Sequence, residues 1–268
     1  MRALSHTGSE MKIAVCAKQI PDPNTPYKLD PGTHFVERPA DQVLDDTDRY
    51  GIEVALRLAE ATGGTVTLVS MGPAGGLQGI RQALAMGAHK AVIINDPSLR
   101  GSAALVTARL LAAALRKEDP DLIIAGTEST DGYTGVVPQQ IAELLGIPAL
   151  TFARKVEHLD GKIRIERMTA TGYDVVEAPT PVLITVTSGV VEPRYPTFKG
   201  IMAAKSKPIE QPTCADLGFS PEAVGSAGSA QAILEVRTAP ERGAGRKVID
   251  EGEAHLEILR FLEQVKVI

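Results

Sequence analysis

The stretch 121–148 constrains the fold more than any other part of this sequence, because it combines a buried strand, a polar turn and a helix. Residues 122–125 are a short apolar run, typical of a parallel strand that is buried on both faces. Gly126 ends this run, and residues 127–135 contain hydroxyls, carboxylates and glycines. Apolar residues at helical spacing follow over 136–145, so the turn opens onto a helix N-terminus. There the unpaired N–H groups and the helix dipole favour an anion such as a nucleotide phosphate.

The turn at 126–138 is not a P-loop, because it lacks the GxxxxGK[ST] pattern and contains no lysine. It also lacks an arginine or histidine that would stabilise a transferring phosphate. We therefore expect it to bind a nucleotide without phosphoryl transfer. A simpler interpretation stays open, in which the turn is an ordinary connection whose hydroxyls and carboxylates cap the helix.

Composition excludes several classes of protein. The chain has 268 residues, 44% of them hydrophobic, and a mean hydropathy of +0.01, so it is able to bury a full core. We expect no membrane insertion, and the net charge of −5 argues against nucleic-acid binding. The chain has two cysteines, Cys16 and Cys214, which are too few for a disulfide framework or a zinc cluster. Their small number favours a reducing, cytoplasmic location.

Residues 1–10 are polar and precede a second methionine, Met11, which begins the first apolar run. They contain no apolar segment of the kind found in signal peptides. We expect them to be an N-terminal extension or a cloning remnant that lies outside the fold.

From Met11 the sequence alternates between short apolar runs and amphipathic segments. This alternation predicts an α/β fold with a mainly parallel, doubly wound sheet of the Rossmann-like, adenine-nucleotide-binding type. The domain is expected to span residues 11–189, with a small hairpin excursion at 27–38. The predicted strands are 12–17, 65–71, 90–94 and 122–125, and the predicted helices run from 45–47 to about 61 and over 75–86, 102–116 and 136–145.

Strand-like segments continue after Pro148 without helices between them. They predict antiparallel strands that extend one side of the sheet, at 150–154, 162–167, 171–177 and 182–187. Residues 190–210 are predicted to form an exposed loop with large apolar side chains, and such loops commonly serve a partner protein. Residues 211–268 are predicted to form a C-terminal arm that includes an amphipathic helix at 250–265.

Ligands of parallel sheets bind beyond the carboxyl ends of the strands. We expect Ala17 and Met71 to contact a base there, and Asp45 and Asp48 to accept hydrogen bonds from a ribose. The turn at 132–138 would then bind the phosphate. Each residue also has a plain alternative, since methionine and cysteine fill cores and the aspartates are suited to cap a helix.

The segment at 193–205 carries a resemblance to a known family. The motif PRYPT follows the extended APTPVLITV stretch and precedes GIMAAK. Together these motifs resemble the small (beta) subunit of electron-transfer flavoprotein. The opening KIAVCAKQIPDP, the segment at 84–92, the STDG turn and the C-terminal AGRKVIDEG extend the resemblance over nearly all of residues 11–268.

The resemblance implies a heterodimeric electron carrier without catalytic residues of its own. The larger alpha subunit would hold the redox FAD, while this chain would hold a structural AMP and grip the alpha subunit with its C-terminal arm. The heterodimer would carry electrons from flavin dehydrogenases, such as acyl-CoA dehydrogenases, to a membrane quinone oxidoreductase.

Two sets of site residues follow from the strand-end rule and the resemblance together. The expected cofactor contacts are Cys16, Ala17, Asp45, Asp48, Met71, Gly126, Thr130, Asp131, Gly132, Tyr133, Thr134, Gly135, Val136, Val137 and Gln139. The expected partner contacts are Arg194, Tyr195, Phe198, Ile201, Met202 and Lys205. Phe198 would be the docking anchor, with Lys199, Lys205 and Lys207 raising the encounter rate.

The sequence departs from the family pattern at several positions. Phe198 stands where many members have leucine, and Asp45-Asp46 stands where many have Asn-Pro. Electron-bifurcating relatives, which hold a second FAD in place of AMP, carry a DGDTAQVG-like turn, whereas this chain has DGYTGVV at 131–137. We therefore expect AMP, with a second FAD as the alternative.

Two further function classes compete with an electron carrier. An adenine-nucleotide hydrolase or ligase would need a phosphate-stabilising group in the turn, which contains none. A universal-stress-type nucleotide-binding regulatory protein fits the first half of the chain, but it leaves the loop at 193–207 and the C-terminal arm unexplained.

Overall fold

The computed structural model describes residues 10–72, 76–237, 243 and 245–268. Residues 1–9, most of the predicted N-terminal extension, lie outside these ranges, as does Gly75 at the start of a predicted helix. The chain divides into two compact units, the first ending at Ile233 and the second covering Leu234–Ile268.

The predicted alternation of strands and helices is observed. The strands are β1 Lys12–Cys16, β2 Gln19–Ile20, β3 Val43–Leu44, β4 Thr65–Met71, β5 Lys90–Ile94, β6 Leu122–Gly126, β7 Ala149–Leu159, β8 Lys162–Thr169, β9 Gly172–Pro179, β10 Val182–Val186 and β11 Ile209–Glu210. The helices are α1 Asp46–Thr62, α2 Gln78–Met86, α3 Ala104–Glu118, α4 Val137–Leu145, α5 Phe198–Ala204, α6 Gly225–Gly228 and α7 Ala254–Gln264.

Nine of these strands form one sheet in the order β11, β5, β4, β1, β6, β10, β7, β8, β9. Pairing is parallel from β11 through β7, whereas β8 and β9 are antiparallel additions at one edge. The short strands β2 and β3 pair with each other outside this sheet. The predicted fold class, a mainly parallel α/β sheet extended by antiparallel strands, is confirmed.

Successive residues of the central strands supply two separate cores. Ile13 and Val15 of β1 lie in a core that α1 and α2 cover, together with Ile52. Ala14, between them, lies in the core on the opposite face, which includes Leu110 of α3. Because side chains alternate across a strand, this division places helices on both faces of the sheet, as the apolar strand sequences require.

The prediction that all four strand-like segments after Pro148 are antiparallel was wrong. Strand β10 is parallel to both of its neighbours, β6 and β7, and lies inside the sheet. All five of its residues are buried, so it needs covered faces on both sides. Its continuous run VLITV has the same character as β6, and this similarity was the available signal.

The predicted loop at 190–210 is partly regular, which corrects the sequence interpretation. Residues 198–204 form the short helix α5, and β11 adds a strand to the edge at β5. The Thr197 hydroxyl caps α5 by accepting a hydrogen bond from the N–H of Gly200 at 3.0 Å. A Cβ on Gly200 would lie 2.4 Å from the carbonyl oxygen of Ala85, so α5 lies directly against α2.

The C-terminal region also differs from the predicted arm, 211–268. Residues up to 233 belong to the first unit, and Cys214 and Val224 are buried in the core that contains α3. In the second unit, α7 begins later than predicted because the Asp250 carboxylate accepts hydrogen bonds from the N–H groups of Gly252 and Ala254. Within the described residues, no helix is long and apolar enough to cross a membrane.

Candidate functional site

The site lies at the point where the sheet changes its winding direction. Strands β1 and β6 are neighbours, but the chain leaves β1 towards β4 on one side and leaves β6 towards β7 on the other. Ligands of doubly wound sheets bind in the crevice beyond the carboxyl ends of such strands. Here those ends lead into Lys18 and into the polar turn at 127–136, as the sequence predicted for the turn.

A buried carboxylate joins this turn to α1. Asp45 is 0% exposed and is the N-cap of α1, where one oxygen accepts hydrogen bonds from the N–H and hydroxyl of Thr47, at 3.1 and 2.9 Å. Its other oxygen accepts from the N–H and hydroxyl of Thr130, at 2.7 and 3.1 Å. All four bonds are internal, so the structure places Asp45 as a link between α1 and the turn rather than as a free acceptor for a ribose.

Asp48 lies one turn further along α1 and is also buried. Its carboxylate accepts a hydrogen bond from the N–H of Lys18 at 2.6 Å, which holds the end of β1 against α1. A Cβ on Gly126 would lie 3.0 Å from the hydroxyl oxygen of Thr47 and 3.2 Å from the Asp48 carboxylate, so a glycine suits this crossing. Burial, with the charge of Asp45, raises the pKa of Asp48 to about 8.

Two cations from other parts of the chain reach the turn, and the sequence analysis did not assign either to the site. Lys18 Nζ lies 2.6 Å from one carboxylate oxygen of Asp131 and donates to the Ser129 hydroxyl at 3.2 Å. Arg38 pairs with the other oxygen of Asp131. The Asp131 side chain is 0% exposed, against 37% for Lys18 and 30% for Arg38.

The charge balance of this cluster keeps Asp131 ionised. Burial acts to raise the pKa of Asp131, but the neighbouring charges of Lys18 and Arg38 outweigh it and lower the pKa below the ordinary aspartate value. The position of Lys18 directly after β1 was a usable signal, since the ends of neighbouring parallel strands meet. Nothing in the local sequence around Arg38 indicated its partner.

The segment 132–137 reverses the chain and starts α4. Tyr133 and Gly135 have positive φ angles of 48° and 63°, and the N–H of Tyr133 donates to the Ser129 carbonyl at 2.9 Å. Tyr133, Thr134 and Val136 are exposed, while Gly132 and Gly135 leave the backbone accessible. Gly135 therefore meets a conformational requirement that most residues satisfy poorly.

The N-terminus of α4 fits an anionic ligand. Within the described residues it has no side-chain cap, since Val136 occupies the N-cap position and Val137 begins the helix. Gln139, in its first turn, has a buried side-chain oxygen without a hydrogen-bond partner in the described part of the chain. The buried hydroxyl of Tyr27 also lacks such a partner, and burial followed by the charge of Asp131 raises the pKa of this phenol. Unpaired buried groups of this kind commonly mark a ligand or water site.

The apolar residues expected near a base are divided between the two faces of the sheet. Cys16 and Met71 are partly buried against the core that contains α3. Ala17 is 5% exposed and belongs to the core on the α1 face, so its side chain points away from that pair. Burial, with the charge of Asp48, raises the pKa of the Cys16 thiol to about 12, so it is a neutral apolar contact at physiological pH.

The expected partner surface contains one residue with an internal role. Arg194 donates to both carboxylates of α1 that face it, with Nε 2.7 Å from Glu53 and Nη2 3.1 Å from Glu60. Burial acts to raise the pKa of Glu53, yet its hydrogen bonds with Arg194 and Arg57 lower it. Arg194 therefore fastens this segment to α1, and the apolar residues beside it face outward.

Four large side chains of this segment are exposed, namely Tyr195, Phe198, Ile201 and Met202. Tyr195 and Phe198 each expose more than three quarters of their surface. Lys199 and Lys205 are exposed as well. Lys207 is not part of this set, which corrects its expected role in partner encounter. Its Nζ donates to the carbonyls of Leu84 and Ala88 at 2.9 and 2.6 Å, and burial lowers its pKa.

Metal chemistry has no candidate centre in the part of the chain that the structure describes, where no three His, Cys, Asp or Glu side chains are grouped to hold an ion. The candidate site thus consists of the polar turn, with Lys18 and Arg38 paired to its Asp131, and the uncapped start of α4 that follows it. A separate apolar surface lies on and around α5.

Comparison with known proteins gives one consistent result. Residues 33–217 match the family model described as the electron transfer flavoprotein domain. The chain is 42% identical to the electron transfer flavoprotein subunit beta of Mycobacterium tuberculosis, over 96% of this chain and 99% of the relative. It is 36% identical to the protein of the same name from Megasphaera elsdenii, over 96% of this chain and 100% of the relative. The chain is also 34% identical to the caffeyl-CoA reductase-Etf complex subunit CarD of Acetobacterium woodii, over 89% of this chain and 92% of the relative.

The charge cluster at the turn leads to a prediction about stability. Asp131→Asn removes the charge that pairs with both Lys18 and Arg38, so we expect the free energy of unfolding at pH 7 to fall by about 2 kcal/mol. Because the folded pKa of Asp131 is depressed, its contribution is present above the unfolded pKa and is lost as the pH falls through the folded pKa. The difference in free energy of unfolding between the wild-type and Asp131→Asn proteins should therefore shrink below about pH 4.

Denaturant unfolding of both proteins across this pH range measures the effect. Asp174→Asn, an exposed aspartate on β9, is the matched control and should change stability little. An Asp131→Asn protein with wild-type stability at pH 7 would show that the cluster does not hold the turn.

Proposed function

The chain belongs to the electron transfer flavoprotein beta-subunit family, and we propose that it is the AMP-holding subunit of a heterodimer whose alpha subunit holds the redox FAD. The heterodimer carries electrons from flavin dehydrogenases, such as acyl-CoA dehydrogenases, to a membrane quinone oxidoreductase. The family identity rests on the domain match and on the near full-length relatives.

The uncapped N-terminus of α4, at the end of a turn whose Asp131 pairs with two cations, is the observation that carries the AMP proposal. Its N–H groups would bind the phosphate, with Lys18 and Arg38 supplying positive charge nearby. Gln139, with its unpaired side-chain oxygen, would accept a hydrogen bond from the ligand. Cys16 and Met71 provide a soft apolar contact suited to an adenine.

We propose that the nucleotide has a structural role. The turn that would bind it is already tied to α1 through Asp45 and Thr130, so a bound phosphate would brace the same connection. Ligand binding to a folded site adds stability according to the ligand concentration relative to its dissociation constant. Loss of the nucleotide would then loosen the carboxyl edge of the sheet.

A second FAD in the same place is the alternative, as in electron-bifurcating members. The turn sequence at 131–137 argues for AMP, because it departs from the bifurcating pattern. The relative from Acetobacterium woodii is named as part of a complex with a reductase, which keeps the alternative worth testing.

Partner docking is proposed for the exposed surface formed by Tyr195, Phe198, Ile201 and Met202. These side chains lie on or beside α5, which is held by its contact with α2 and by the Arg194 ion pairs. A rigid support under exposed aromatic and aliphatic groups suits a binding anchor, because little backbone freedom is lost on docking. Lys199 and Lys205 would speed the approach of an acidic partner.

The second compact unit is proposed to contact the alpha subunit. Its helix α7 carries an exposed apolar side that includes Ile258, Leu259 and Phe261. Arg246 pairs with Glu257 of this helix at 2.7 Å. An amphipathic helix with this much exposed apolar surface gains stability by packing on a partner.

Nucleotide analysis tests the central proposal. Acid extraction of the purified heterodimer should release FAD and AMP in equal amounts. Lys18→Met should lower the AMP content, because one of the two cations is lost, while FAD stays unchanged. Lys12→Met serves as the control and should retain AMP, because Lys12 lies at the amino end of β1, away from the turn. Release of two FAD per heterodimer without AMP would establish the alternative.

Truncation tests the role of the second unit. Removal of residues 246–268 should raise the dissociation constant of the heterodimer, because the apolar side of α7 is lost. Size-exclusion chromatography over a dilution series, with calorimetric titration of the alpha subunit, measures this change. A truncated chain that binds the alpha subunit as tightly as the full chain would contradict the proposal.

Phe198→Ala tests the docking surface. The variant should raise the KM for a partner dehydrogenase by the equivalent of about 1–3 kcal/mol, because a buried aromatic contact is lost in the complex. Flavin content, AMP content and Tm should stay unchanged, since Phe198 is exposed. Tyr173→Ala, another exposed aromatic on β9, is the control. Wild-type kinetics in Phe198→Ala, or a lowered Tm, would assign this residue another role.

A further inference from the structure

The short helix α5 packs on α2 through small residues. Gly200 lies so close to α2 that a Cβ there would be 2.4 Å from the carbonyl oxygen of Ala85. Ala204, one turn further along α5, is 3% exposed and belongs to the core that also contains the apolar residues of α2. Positions four residues apart share one face of a helix, so this face of α5 is buried on α2. The large side chains of α5 remain exposed, namely Phe198, Ile201 and Met202.

Two partly buried cations join the C-terminal ends of these helices. Arg81 of α2 donates through Nη1 to the last carbonyl of α5, that of Ala204. In the other direction, Lys207 follows α5 and donates through Nζ to the carbonyls of Leu84 and Ala88 at the end of α2. The last carbonyls of a helix have no partners within the helix, and the helix dipole favours a cation there. These two contacts form a reciprocal cap.

Further contacts attach the chain on both sides of α5. Arg194, ahead of α5, binds Glu53 and Glu60 of α1. Beyond the reciprocal cap, the N–H of Ala91 donates to the carbonyl of Pro208 at 3.1 Å, and β11 then pairs with β5. Helix α5 has 7 residues, which are too few for a helix that is stable by itself. Its position therefore depends on these attachments and on the reciprocal cap.

Building on the proposed docking of partners at α5, we propose that Arg81 and Lys207 are positioning residues for that docking. They hold α5 in one orientation, so that Phe198 is presented before a partner arrives. When the binding-competent state of a protein is only partly populated, its apparent affinity falls in proportion to that population. Loss of the reciprocal cap therefore weakens docking without removing a residue of the docking surface.

Steady-state kinetics of the purified heterodimer with a partner flavin dehydrogenase test this inference. Arg81→Met and Lys207→Met keep a long apolar side chain but remove the donated hydrogen bonds. Each should raise the KM for the dehydrogenase by about threefold to tenfold, while kcat at saturation stays unchanged. Arg81→Lys keeps a cation for the Ala204 carbonyl and should recover most of the wild-type KM.

Amide hydrogen exchange measures the effect of the cap on α5 directly. The amides of residues 198–206 should exchange about tenfold faster in Arg81→Met and in Lys207→Met, because α5 opens more often. Exchange in α1 should stay unchanged, since Arg194 and its ion pairs are intact.

Arg116→Met and Lys117→Met are the matched controls. They remove the same kind of contact on the opposite face of the sheet, where Arg116 donates to the Leu144 carbonyl at the end of α4 and Lys117 donates to the Asp216 carbonyl. Both variants should leave the KM for the dehydrogenase and the exchange of α5 unchanged.

Gly200→Ala perturbs the same contact without removing a charge. The added Cβ must displace α5 from α2, although alanine favours a helix more than glycine does. This variant should raise the KM as Arg81→Met does, and a loss of helix propensity would not explain the change.

The combination of Arg81→Met with Phe198→Ala separates the positioning role from the docking proposal. If Arg81 acts by orienting Phe198, the double variant should have nearly the KM of Phe198→Ala alone. Additive effects on KM, or unchanged exchange of α5 in Arg81→Met, would overturn the positioning role while leaving docking at Phe198 intact. Wild-type kinetics in Phe198→Ala would overturn the docking proposal and the positioning role with it.

Discussion

The buried carboxylate of Asp45 is the interaction on which the candidate site depends. It caps α1 with one oxygen and holds Thr130 of the nucleotide turn with the other. A fully buried carboxylate is costly unless its hydrogen bonds are satisfied, and here four N–H and hydroxyl groups satisfy it. The hydrogen bonds to Thr130 therefore tie the turn to the start of α1.

Helix α1 also connects the two surfaces of the first unit. Its N-terminus carries Asp45, and its outer side carries Glu53 and Glu60, which bind Arg194 ahead of α5. One rigid element thus supports both the polar turn and the segment proposed to dock partners.

The positive charge at the polar turn is partly neutralised by acidic side chains. Lys18 and Arg38 approach the turn, but Asp131 pairs with both, and Glu128 adds a negative charge beside Gly135. An ATP-hydrolysing site needs strong positive charge around its phosphates, supplied by lysine, arginine or a metal ion. The balance found here suits retention of a small anion for stability, in keeping with the proposed structural nucleotide.

The sequence by itself determined the elements whose cause is local. Strands β4 and β5 have their predicted bounds, and Asp45 caps α1 as predicted, because apolar runs, glycines and capping residues act over a few positions. Only the tertiary structure decided which distant groups meet. Lys18 reaches Asp131 across 113 residues and Arg194 reaches Glu53 across 141. Likewise, the run VLITV indicated a buried strand, but only the folded sheet decided that β10 lies between β6 and β7, because strand pairing joins segments that are distant in sequence.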